Sequence, residues 1–315
     1  MLGRAADNIF WMARHVERVE STVRLLRATE LNALLTASAG DGGGEDEAIW
    51  ARPLLLTGRM DDFMVRYEQL SSGRVMAYML FDRDNPASVK SVLERARENA
   101  RATRHLLTNE VWESLNHTWI AIRDQHYVTM QRTAVADRLD WLLERCFMFR
   151  GALFGSMRRD ESLRFANIGM YLERGDHTAR LLAAQPDRAG AAADPAAQMR
   201  EYYEGTALLK ALGSYRAYRE TFASNLDFGR IAELLILHAT VPRSLRGCID
   251  EVAETLRILN PTAESLKVAH ELQYRLQTVQ IGHVRRVGMR AFLLDFCKEL
   301  DEISDRIRHD FMMVQ

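Results

Sequence analysis

Two short runs of charge at one spacing are where this 315-residue sequence could concentrate chemistry. Glu17, Glu20 and Arg24 stand at i, i+3 and i+7, and Glu173, Asp176 and Arg180 repeat that spacing. At about 100° per residue each trio falls within an arc of about 60° on one helical face. In both runs an Arg, Arg18 or Arg174, follows the first carboxylate and points to another side. An acid four residues before an Arg is an ordinary helix-stabilising pair worth some tenths of a kcal/mol. Two carboxylates with an Arg also suit a ligand that carries amine and carboxylate together, as a peptide or an amino acid does. The trios are expected to border apolar stripes and to converge across a pseudo-twofold, where they would hold such a ligand or a partner's charged group. The alternative is an enzyme whose paired carboxylates do acid–base work on amide bonds, which requires a closed cleft and raised carboxyl pKa values. No residue is assigned a catalytic role.

A metal centre is not expected. Di-iron helical bundles use Glu together with Glu-x-x-His. Here Glu173 is followed by Asp176 at +3 and His177 at +4, and the first run has Glu20 and Ser21 in those places. Cys146, Cys248 and Cys297 lie far apart, each within an apolar helical pattern, and read as buried reduced thiols instead of a disulfide or zinc framework. Phosphate-cradling loops, dinucleotide fingerprints, nucleophile elbows and zinc-protease motifs are missing, and no cofactor is expected. Forty-two Lys and Arg against 43 Asp and Glu give a net charge of −1, so neither nucleic acid nor an anionic membrane is an expected partner. No apolar leader opens the sequence, and runs such as Leu234–Leu237 fall far short of the roughly 20 residues that span a bilayer, so a cytoplasmic protein is expected.

Helices must position these groups. Ile9, Met12, Val16, Val19, Val23 and Leu26 step by three and four, which marks one face of a long helix. The same period runs through 86–108, 127–156, 158–184, 227–239, 242–259, 263–281 and 286–313. Shorter helices are expected over 53–69, 71–81, 109–122 and 198–222. No stretch alternates as a half-buried strand would, so the expected fold class is all-α. The Gly-rich acidic run 38–47 and the Pro/Ala-rich run 185–197 read as loops. Trp112, Asn116 and Trp119 share one helical face, for core packing or for a groove that takes a partner.

The sequence also repeats itself. Residues 15–28 align with 171–184 without a gap, seven of fourteen positions identical, where chance gives roughly one. The same offset of 156 sets 74–100 on 230–256, with Arg74/Arg230, Pro86/Pro242, Ser88/Ser244 and Glu98/Glu254 identical. The expected organisation is an internally duplicated helical bundle of two units, 1–156 and 157–315, either separate or merged.

The opening resembles the bacterial alpha-E domain family in Arg4, Asn8, the pair Phe10-Trp11 and the core Glu17-Arg18-Val19-Glu20. Residues 170–182 resemble the family's second Glu-Arg element, the segment around Pro242-Arg243-Ser244 a third block, and Trp112–Asn116 a fourth. Val19 and Gly175 depart from the small Ala expected there. The resemblance implies a ligand- or partner-binding set of Arg4, Asn8, Glu17, Arg18, Glu20, Arg24, Glu173, Arg174, Asp176, Arg180 and Arg243. It also implies a setting: an accessory subunit of a peptide or amide-bond forming system, binding a circularly permuted ATP-grasp ligase. A transglutaminase-like protein and a proteasome-like peptidase are further partners it suggests.

Overall fold

In the computed structural model, residues 3–38, 44–125, 133–185, 195–223 and 225–312 are described; they form helices and their connections, with no strand among them. The order is α1 (Gly3–Ser38), α2 (Gly44–Leu56), α3 (Met60–Tyr67), α4 (Ser72–Phe81), α5 (Val89–Ala102), a 3₁₀ turn at Arg104–Leu106, α6 (Asn109–Arg123) and α7 (Thr133–Ser156). Then follow α8 (Glu161–Ala183), α9 (Pro195–Ala211), α10 (Tyr215–Phe222), α11 (Phe228–Leu237), α12 (Leu245–Leu259), α13 (Glu264–Thr278), α14 (Ile281–Val287) and α15 (Met289–Ile307), closed by a π-helical turn at Arg308–Met312. No described helix is long and apolar enough to cross a membrane.

The chain divides into two units, one of Asn8–Ala166 and one of Met1–Asp7 with Asn167–Gln315. The expected halves part at 156; these units part ten residues later, inside α8, and the start of α1 goes with the second. In the first unit α4 packs on α5, α5 on α6 and α6 on α7. In the second, α11 packs on α12, α12 on α13 and α13 on α15.

Local chemistry recurs at the offset seen in the sequence. Ser71 caps α4 by accepting from the Arg74 N–H, and Asp227, 156 residues on, caps α11 by accepting from the Arg230 N–H at 2.8 Å. Ser88 and Ser244, also 156 apart, cap α5 and α12 by accepting from the Ser91 and Gly247 N–H groups at 3.1 and 2.9 Å. Each such cap satisfies a donor that the helix start leaves unpaired.

Three expectations are corrected. The run 53–69 is two helices, because the turn after α2 carries Gly58 with φ +63°; the run 198–222 is likewise two, because the turn after α9 carries Gly213 with φ +61°. The Arg59 N–H reaches the Leu54 carbonyl (2.8 Å) and the Ser214 N–H the Leu209 carbonyl (2.8 Å), the six-to-one bond that closes a helix on a left-handed residue. The loops expected at 38–47 and 185–197 are shorter: α2 already begins at Gly44, where the exposed Glu47 suits the positive end of a helix, and Pro195 opens α9. Residues 39–43 and 186–194 lie outside the described residues.

Candidate functional site: the carboxylate–guanidinium clusters

The first trio sits deeper than the border of an apolar stripe. The stripe residues Ile9 to Leu26 are buried, but so are Arg14, His15, Glu17, Glu20, Ser21 and Thr22, so α1 is enclosed around most of its circumference. Glu17 is 2% exposed and Glu20 is fully buried. Buried carboxylates need charged or hydrogen-bonding partners. Arg150 of α7 supplies one for both: its Nη2 donates to Glu17 Oε2 at 3.2 Å and also to Glu20 Oε2. Arg24 adds a bond from Nε to Glu20 Oε1 at 2.8 Å. Phe147, nearly half exposed, lies under both guanidiniums, with Arg24 Cζ 5.4 Å and Arg150 Cζ 5.8 Å from its centroid. Farther along α1, Arg27 pairs with Asp140 of α7. Beside the cluster is a cavity large enough for roughly one water, lined by Val16, Val19, Thr118, Arg145, Cys146 and Phe149 among others.

The second trio is more open. Arg180 Nε donates to both Asp176 oxygens at 2.9 and 2.8 Å, with the Asp176 side chain 20% and that of Arg180 48% exposed. The bond to Asp176 raises the Arg180 pKa above the usual guanidinium range. Glu173 and Arg174 are buried; Arg174 lies over the Tyr171 ring (5.0 Å) and points Nη1 at the Pro242 carbonyl (3.5 Å). Thr178 Oγ1 donates to the Arg243 carbonyl at 2.9 Å, and Arg243 is itself buried. Gly175 faces α12 and α15 with room to spare: a Cβ there would meet Cys248, Leu300 and Phe296 at 3.5–3.7 Å, ordinary contact distances.

The remaining sequence-derived residues are scattered. Arg4 is exposed and belongs with the second unit; Asn8 is half-buried, nine residues or about 13.5 Å along α1 from Glu17. Arg18 is half-buried on α1. Phe10 and Trp11 form a platform for Arg14, whose Cζ lies 5.5 and 5.0 Å from the two rings. Trp119 is buried in the core, whereas Trp112 lies under Arg97 and Arg104, and Asn116 accepts from Arg97 Nε at 2.8 Å. Arg150 is the member that sequence reasoning missed. Its signal is a lone Arg inside the apolar run Phe147–Phe154, one turn after the buried Cys146, which demands a buried acid opposite.

All three cysteines are buried. Burial, and then the Glu20 charge, push the Cys146 thiol well above its ordinary range; burial, and then Asp176, push Cys297 up to about 12. Because only the thiolate is nucleophilic, iodoacetamide at pH 8 should leave Cys146 and Cys297 unmodified in the native protein and alkylate both in urea, as peptide mass spectrometry would read. Among the described residues no three His, Cys, Asp or Glu side chains assemble into a set that could hold a metal ion.

Comparison with known proteins now bears on these clusters. The chain is 26% identical to uncharacterized proteins of Mycobacterium bovis and Mycobacterium tuberculosis over 93% of its length. It spans about a third (34%) of the length of those relatives. No solved structure matches it. Residues 1–312 match Alpha-E, described as a predicted alpha-helical domain with a conserved ER motif. Glu-Arg occurs here at 17–18, 94–95, 144–145 and 173–174. Glu94 and Glu144 are exposed, while Glu17 and Glu173 are buried on α1 and α8. With that match running from the first residue almost to the last, the chain belongs to the Alpha-E family.

Proposed function

We propose that this chain is a helical accessory subunit of an ATP-grasp-dependent peptide or amide-bond forming system, and that it binds the circularly permuted ligase, with its peptide or amino-acid substrate, through the Arg24 and Arg180 guanidiniums of its two Glu-Arg helices. One observation carries the reading. In both helices an acid lies deeper than the Arg four residues on, and the pair is bonded through Nε: Glu20 to Arg24, Asp176 to Arg180. A guanidinium anchored by Nε keeps its terminal nitrogens as a planar fork for another carboxylate or carbonyl. Such a fork is pre-organised, so less side-chain entropy is lost when a partner docks. Glu17 and Glu20, buried and bridged by Arg150, suit the task of holding that scaffold better than they suit proton transfer to a substrate.

The test is co-expression with the ATP-grasp ligase of the same system, affinity capture, and size-exclusion chromatography with mass detection. The expected result is co-elution at a fixed ratio. Arg24→Glu with Arg180→Glu should weaken the complex at least about tenfold, the scale of one interface hot spot, with helicity unchanged. Separate elution, or a well-folded double variant that binds as before, would overturn the reading.

A further inference from the structure

The outward face of α7 is apolar where the fold does not ask for it. Glu144, Phe147, Met148, Gly151, Phe154 and Gly155 share one side of the helix and all are exposed. Phe147, Met148 and Phe154 are 45, 48 and 47% exposed, and the space above Gly151 and Gly155 is open. In the second unit α15 is the corresponding helix. Its buried Leu293, Phe296, Leu300, Ile303 and Ile307 follow the buried Leu139, Leu142, Cys146, Phe149 and Leu153 of α7 at a constant offset of 154. At that offset the six outward residues of α7 become Lys298, Asp301, Glu302, Asp305, Arg308 and His309, all charged or ionisable. The same scaffold position is therefore satisfied by a solvated face, and large side chains gathered on a surface mark a contact.

We propose that this face is the interface of a twofold homodimer in which two copies of α7 cross antiparallel at Gly151. The order of residues along the face selects a second copy as the occupant. A twofold axis at Gly151 sets 144 against 158, 147 against 155 and 148 against 154. Phe147 then lies over Gly155, Met148 meets the Phe154 ring, and Glu144 faces Arg158, exposed with Arg159 just beyond the helix end. Bulk meets space, sulfur meets an aromatic ring, and acid meets base. A parallel pairing would instead stack Phe on Phe, acid on acid and base on base. Such a self-complementary patch is what an isologous contact requires, and glycines at the crossing let two backbones approach closely. One helix face on each side is smaller than a standard interface, so the dimer is expected to exchange with monomer at micromolar concentration. The contact does not rest on the ligase reading.

Light scattering or sedimentation across a concentration series of the full chain should show the mass rising from 36.1 kDa toward twice that value. Phe154→Glu, at an exposed position, should hold the mass at the monomer value throughout with an unchanged helical spectrum. Gly151→Cys should form a reducible cross-linked dimer under mild oxidation, since the native cysteines are buried, and adding Phe154→Glu should abolish it. A wild-type chain that stays monomeric, or a dimer that Phe154→Glu leaves intact, would refute the interface. A Phe154-sensitive dimer that Gly151→Cys fails to cross-link would refute the antiparallel crossing.

Discussion

Arg150→Met should lower the stability of the fold by about 3–5 kcal/mol, the usual cost of removing one partner from a buried ion pair. The side chain is only partly exposed (28%) and bridges two buried carboxylates. Removing it takes a shared guanidinium from both carboxylates on the enclosed side of α1, where Arg24 also bonds Glu20. Methionine keeps most of the volume, so the loss reads charge and hydrogen bonding in preference to a cavity. Urea unfolding would show it as a lower midpoint at an unchanged slope. The companion variant carries the mechanism: adding Glu17→Gln and Glu20→Gln to Arg150→Met should recover a large part of the loss, because neutral amides need no guanidinium. If the losses add, the bridge does not hold α1 to α7, since coupled residues deviate from additivity.

That bridge also shows where sequence stops being informative. The all-α class and most helix spans follow from the three–four period, although α5 and α12 start three residues after the prolines that open the expected spans 86–108 and 242–259, behind the caps Ser88 and Ser244. Both are local, decided within a few residues. The depth of Glu17 and Glu20 is not local. Periodicity places them beside the Val16–Val19 stripe, and whether that side meets water or a neighbouring helix depends on residues 130 positions away, Arg150 above all. The same limit applied between the two trios. Identical spacing promised identical sites, yet the residue corresponding to Arg150 at the offset of 154 is Ser304, a buried hydroxyl, and the second trio lies nearer the surface. The break at Gly213 was hidden for a different reason: a single glycine inside an apolar run is compatible with a continuing helix, and only its positive φ reveals that it ends one.

Gly247→Ala should destabilise the second unit by about 2–4 kcal/mol, whereas Gly175→Ala should be neutral or stabilising by up to about 1 kcal/mol. Both glycines are buried in helices, so propensity alone favours alanine at each. What differs is the neighbour. At Gly175 an added methyl meets side-chain carbons at 3.5 Å or more, an ordinary packing distance. At Gly247 it meets the Val241 carbonyl oxygen at 2.9 Å, the Ala239 carbonyl at 3.1 Å and Ser244 Oγ at 2.9 Å. The first two are backbone and cannot swing away; the third is the atom that caps α12 through the Gly247 N–H itself. The methyl therefore competes with the cap that starts the helix. The corresponding position in the first unit is Ser91, whose hydroxyl fits beside Ser88 Oγ at 3.0 Å and approaches the Arg83 carbonyl at 3.3 Å. This type of helix start thus tolerates a side chain, and the glycine is required by how tightly residues 239–241 fold back over α12. Thermal unfolding of the two variants side by side separates the causes: equal effects would mean that glycine matters here only for helix propensity, and opposite effects that backbone crowding at the α12 cap decides.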